Sequence, residues 1–242
     1  MTSYTFQREE LLALFDKIGV STAQGMADDF LVPLADGETA VGRDFSSEEL
    51  ALAELMAHPH SVVRVMRRDA DQATLADAYY FVSGEHFAVL TTTDAGYALS
   101  ALDSLEAAMN DASSMLPLRP DPDTINTRIM LDMDDFLDAR ALARSWHSVS
   151  TETILEAEGM ETVDAIDLAD SVGNQEWNGW LSFMFFKDGK LTRERTMWVL
   201  QGPDSSWLGY LDLDTGKMVV QAANNEVLSD ISLRIWEALD ES

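Results

Sequence analysis

Four histidines, 43 carboxylates and no cysteine are the chemical stock of this 242-residue chain. Two histidines stand close together, in His58-Pro59-His60. Such a pair holds a metal only when a third ligand, an aspartate or glutamate for example, arrives from elsewhere. No His-Glu-x-x-His arrangement occurs, and the intervening proline reads as a corner between a helix and a strand. Asp132, Asp134, Asp135 and Asp138 form an acidic cluster. A calcium loop needs oxygen ligands at alternating positions and a glycine turn. Here there is no glycine, and Phe136 and Leu137 continue a helical stripe, so the cluster reads as an acidic helix start. With 43 carboxylates, spacing cannot single out an acid–base pair. The missing cysteine removes thiolate nucleophiles, disulfides and cysteine metal sites together. No Gly-x-Ser-x-Gly elbow, dinucleotide glycine fingerprint or P-loop is present. The expectation is a protein that is not an enzyme, with no catalytic residue, no metal and no cofactor.

What remains is chemistry of contact. Trp177-Asn178-Gly179-Trp180, followed by Phe183, Phe185 and Phe186, is the densest aromatic segment. As a strand it places Trp177, Gly179, Leu181, Phe183 and Phe185 on one face. Asn178, Trp180, Ser182, Met184 and Phe186 take the other. Both faces are substantially apolar. A strand covered on both sides would read this way. So would a strand whose second face receives a partner, because large aromatics concentrate in interface hot spots. Trp180, Phe186 and, from the next strand, Trp198 are the candidate partner-binding residues.

The net charge of −27 is shared between the two halves of the chain, and arginine outnumbers lysine twelve to four. An anionic surface of this size disfavours nucleic acid and acidic lipid. It suits either a basic partner or simple solubility. No apolar run approaches the roughly 18–20 residues of a membrane span. Met1 to Phe6 lacks a basic region leading into an apolar core, so a cytoplasmic location without membrane insertion is expected.

The elements that must position the aromatics follow from periodicity. Helices are expected over Arg8–Val20, from Ser46 to His58, over Leu102–Leu116, from Asp134 to Trp146, over Val163–Val172 and over 225–239. Strands are expected at 61–67, 78–83, 86–92 and 96–101, a short one near Thr127–Leu131, then 177–186, 191–201 and two more before the last helix. Asp188-Gly189 is a hairpin signal, since such a turn needs positive φ. Ser21 to Gly42, with Phe30-Leu31-Val32-Pro33-Leu34, has no clear period. Leu11, Phe15, Leu55, Val63, Val65, Phe81, Val89, Leu105, Phe183, Val199, Leu211 and Ile235 are the expected core.

Two stretches share one plan. Residues 79–116 and 197–239 each run strand, glycine turn, strand, glycine turn, strand, helix. Gly84 corresponds to Gly202 and Gly96 to Gly216. A spacing of this size means duplicated halves, since solenoid repeats are only about 20–50 residues long. Residues 1–117 and 118–242 are therefore expected to be similar α+β halves of one domain, related by a quasi-twofold axis. An antiparallel sheet would be flanked by helices, and Pro117–Asp123 would be the linker.

This order resembles the EspG-type secretion-specific chaperones of actinobacterial type VII (ESX) systems. Three segments carry the resemblance: Glu9-Glu10-Leu11-Leu12-Ala13-Leu14-Phe15 with Ile18-Gly19-Val20; Leu52 to Pro59 leading into Val62-Val63-Arg64-Val65; and Arg195 to Val199 with Trp207-Leu208-Gly209-Tyr210 before a closing helix. The resemblance implies a quasi-twofold α+β domain with a central antiparallel sheet. It also implies a non-catalytic cytosolic chaperone that binds a helical secretion substrate, covers its aggregation-prone tip and keeps it soluble. The residues alone leave two other readings open. One is an enzyme or small-ligand binder of an unrecognised α+β family. The other is an acidic immunity-type protein.

Overall fold

A computed structural model describes residues 3–18, 43–93, 96–119, 127–144, 148–212 and 214–240. The irregular stretch around Phe30–Leu34, the later part of the linker from Pro120, Trp146 and His147 lie outside the described residues.

The first half contains β1 (Ser3–Phe6), α1 (Arg8–Ile18), α2 (Ser47–Ala57), β2 (Ser61–Asp69), β3 (Thr74–Ser83), β4 (His86–Thr93), β5 (Gly96–Leu102) and α3 (Leu105–Ser114). The second contains β6 (Arg128–Leu131), α4 (Met133–Arg144), α5 (Ser148–Ala157), α6 (Thr162–Gly173), β7 (Trp177–Lys187), β8 (Lys190–Gln201), β9 (Ser206–Leu211), β10 (Met218–Ala222) and α7 (Asn225–Asp240). Local chemistry sets several boundaries. Ser46 and Glu49 form a reciprocal capping box that starts α2. The Ser104 hydroxyl accepts from the Ala107 amide at 3.1 Å, so α3 begins after Leu102, which still belongs to β5. Asp188 and Gly189 have φ of 53° and 72°, the positive values a two-residue hairpin between β7 and β8 demands.

All ten strands form one antiparallel sheet in the order β1-β5-β4-β3-β2-β7-β8-β9-β10-β6. Counted inward from either edge the order is the same: the half's first strand, then its meander in reverse. The halves meet where β2 pairs with β7, from Ser61 opposite Phe185 to Asp69 opposite Trp177.

Helices cover the two faces of this sheet differently. On one face α3 and α7 lie over the centre. Val63, Val65, Tyr80, Leu181, Phe183, Phe185, Met197 and Val199 pack there against Met109, Leu116, Leu228 and Leu239. On the other face the helices form two separate lobes. Helices α1 and α2 cover the first half from β2 outward and reach Met184 and Phe186 of β7, with Leu11, Leu14, Phe15 and Met56 meeting Val62, Phe81, Leu90 and Leu99. Helices α4 to α6 cover those of the second half, Phe136, Leu155 and Leu168 meeting Leu200, Trp207 and Val220.

Eight of the twelve expected core residues are buried, and Leu55, Leu105 and Ile235 are half-buried against the same clusters. Leu211 is a correction. It ends β9 and is 37% exposed, because alternation persists to a strand's last residue but cover does not. Two elements escape the sequence reading. Four-residue β1 is too short to show a period. Helix α5 opens Ser-Val-Ser-Thr-Glu-Thr, residues of modest helix propensity that mask its stripe. The start of the expected linker is strapped down. Leu118 is buried, its amide donates to Asn225 Oδ1 at 3.0 Å, and the Arg119 amide donates to Gln201 Oε1 at 3.1 Å.

Candidate functional site

At the centre of the two-lobed face, strand alternation leaves large aromatics that the described helices cover only in part. Along β7, Leu181, Phe183 and Phe185 point to the α3/α7 face and are at most 3% exposed. Trp180, Met184 and Phe186 point the other way and are half-buried. Trp198, on β8, stands directly opposite Trp180, with Met66 of β2 on the other side. The structure thus brings Trp180 and Trp198 together. Phe186 is six residues further along β7, about 20 Å at strand spacing.

The three aromatics have different surroundings. Phe186 packs against the α1/α2 lobe and borders a cleft of about 410 Å³ with Ala57, His58, His60 and Asp188. Trp198 packs against the α4–α6 lobe. Its ring meets Phe136 edge-on at 5.9 Å and has the Arg140 guanidinium 5.6 Å from its centroid. Gly209 makes room for it, since a Cβ there would sit 3.1 Å from the indole. Trp180 belongs to neither lobe. It lies between them with Met66, and Arg68 rests over its ring at 5.2 Å.

Polar groups frame this row. Arg64 pairs with Asp77 at 3.2 Å and lies over Tyr79 at 5.0 Å. Ser182 and Thr196 share a hydrogen bond of 3.0 Å. Sequence reasoning placed Asn178 on the face of Trp180 by alternation but missed Met66 and Arg68 as parts of the site. Their place depends on the register of β2 against β7, more than a hundred residues apart, which no local signal encodes.

The other chemical candidates are accounted for structurally. His58 caps the end of α2, and His60 Nε2 lies 2.6 Å from Asp240 Oδ1 with its ring edge-on to Phe185. Among the described residues no three His, Asp or Glu side chains gather as a metal site would require. Asp134 and Asp135 occupy the first turn of α4, where the helix dipole favours anions. Asp167 on α6 fastens the lobe to the β8–β9 turn, accepting from Ser205 and from Trp207 Nε1 at 3.0 Å. Burial holds its carboxyl above the usual range, partly offset by those two hydrogen bonds and reinforced by Asp204 and Asp164. None of the described helices is long and apolar enough to cross a membrane.

This geometry can bind: it offers indole faces, a methionine and unshared donors. No protein-family model and no curated protein sequence matches the chain. Among solved structures it is similar to the Mycobacterium tuberculosis type VII secretion system chaperone EspG5, determined in complex with the PE25–PPE41 dimer. The TM-score is 0.69 at 11% identity, covering 94% of this chain and 93% of that one. At that identity the likeness establishes a shared fold.

Proposed function

We propose that this chain is a non-catalytic cytosolic chaperone or adaptor that docks a helical secretion substrate on the open centre of its sheet and keeps that substrate soluble. One observation carries the docking site: among the described residues, Trp180 is a large, half-buried aromatic in mid-sheet that neither helical lobe packs against. Large aromatics of this kind are what interfaces use as anchors. The EspG5 likeness supports the chaperone reading, since that protein was solved holding a partner dimer. Trp198 would act as a second anchor and Phe186 as a rim contact. The acidic surface would keep free chaperone monodisperse and favour a basic partner. The mirrored strand order also supports duplicated halves, 1–117 and 118–242, related by a quasi-twofold axis.

Co-purification of the native helical partner from the host tests the docking reading. Trp180→Ala should abolish capture while the chain stays folded. Undiminished capture by a folded Trp180→Ala variant would refute it.

A further inference from the structure

Trp180 is bordered by hydrogen-bond donors that nothing among the described residues answers. Arg68 on β2 stands opposite Asn178 on β7, one rung from the row of Met66, Trp180 and Trp198. Arg68 Nε, Asn178 Nδ2 and Trp198 Nε1 are buried, and each lacks an acceptor among the described residues. Native proteins leave few such groups, and each unmet donor carries the desolvation cost of its group. Arg68 also has no carboxylate partner among the described residues and rests only on the Trp180 ring. Four residues earlier on the same face, Arg64 has Asp77.

We propose that the docked partner places a carboxylate side chain over Arg68 and Asn178, beside an apolar side chain on Trp180. This rests on the docking reading above and adds the chemistry of the occupant. The guanidinium fork suits a carboxylate, which it can hold through two parallel bonds. Strand spacing sets the partner's pattern. Positions 178 and 180 are about 7 Å apart on one face, and helix residues four apart are separated by about 6 Å along the axis. The occupant is a helix with an apolar residue and an aspartate or glutamate four positions away. The chain's distant surface acids do not forbid this, because charges beyond about 8 Å are largely screened at physiological salt. The nearest fixed cation decides.

Three amphipathic helical peptides test the proposal. They are identical except for Glu, Gln or Lys four positions after a central Leu. Each is titrated into the full chain carrying ¹⁵N-labelled tryptophan side chains. The Glu peptide should bind about tenfold or more tightly than its Gln counterpart, the range of a charge-assisted hydrogen bond. It should also shift the indole signals of Trp180 and Trp198. That advantage should vanish in Arg68→Gln and shrink in Arg68→Lys, which retains the charge without the fork should the first variant fold poorly. Equal binding of Glu and Gln, or preference for Lys, overturns the carboxylate and leaves docking at Trp180 standing. Failure of all three peptides to bind, while Trp180→Ala still abolishes native capture, has the same meaning. If Trp180→Ala leaves capture intact, the docking reading falls and this inference with it. Self-association that Arg68→Gln abolishes would name a second copy as the occupant and also overturn the proposal.

Discussion

The two faces of the sheet at its centre are built from the same strands, yet they are finished differently. One carries α3 and α7 across the middle, and Leu181, Phe183 and Phe185 beneath them are at most 3% exposed. On the opposite face the described helices form two lobes, and Trp180 is half-buried and packs against neither. Alternate residues of one strand therefore do two jobs. Those under the α3/α7 layer hold the halves together across the β2–β7 seam. On the other face Trp180, Met184 and Phe186 are large and apolar without being needed for that layer. Aromatic density in a sequence is thus not one signal: the side chain facing a covered layer belongs to stability, and its neighbour can belong to recognition.

The largest effect expected from this contrast is on stability. Phe183→Ala removes a fully buried ring and should cost about 3–5 kcal/mol, read by denaturant unfolding. Trp180→Ala, three residues away, should cost about 1 kcal/mol or less and show itself in lost partner capture. Equal losses of stability would erase the distinction between the faces.

Salt acts on the whole surface. With a net charge of −27, screening should relieve self-repulsion. Each kcal/mol gained would raise the melting temperature by about 2–4 °C for a chain this size. The rise from low to high NaCl should be the same in the parent chain and in Trp180→Ala, because neither face owns that charge.

The smallest effect concerns the α4–α6 lobe. Asp167 has a folded-state pKa raised chiefly by burial, so the fold disfavours its ionised form. That penalty is complete above the raised value. It is relieved as pH falls through that value towards the unfolded one, about 3.9. The stability of Asp167→Asn relative to the parent should therefore decline as pH drops across this window, followed by thermal melts. A constant difference would mean that the carboxyl does not titrate there.

Features governed by neighbouring residues were legible in the sequence. The Asp188-Gly189 hairpin, the Ser46 cap and the alternation along β7 all depend on local φ, local hydrogen bonds or period two. The strand–turn–helix plan also showed through, because each glycine turn separates apolar runs. The site was only half legible. Trp180 and Trp198 stood out by size. Their adjacency was not legible, because it depends on the bulge at Phe185 and Phe186, which shifts the register by one and sets Trp198 rather than Met197 opposite Trp180. Asn178 followed from alternation along β7, but Met66 and Arg68 did not stand out, because pairing β2 with β7 is a long-range fact of the tertiary fold. Four-residue β1 and the Ser/Thr-rich start of α5 were lost for a different reason: too few residues, or too weak a propensity, to reveal a period.

A photoreactive phenylalanine analogue placed at position 180, with a control at exposed Glu237 on α7, tests the central claim most directly. Irradiation in the native host should join position 180 to a helical polypeptide, and position 237, on the α3/α7 face, should join to none. Adducts confined to the chain itself at 180, or partner adducts from 237 alone, would contradict the assignment of the open face as the docking surface.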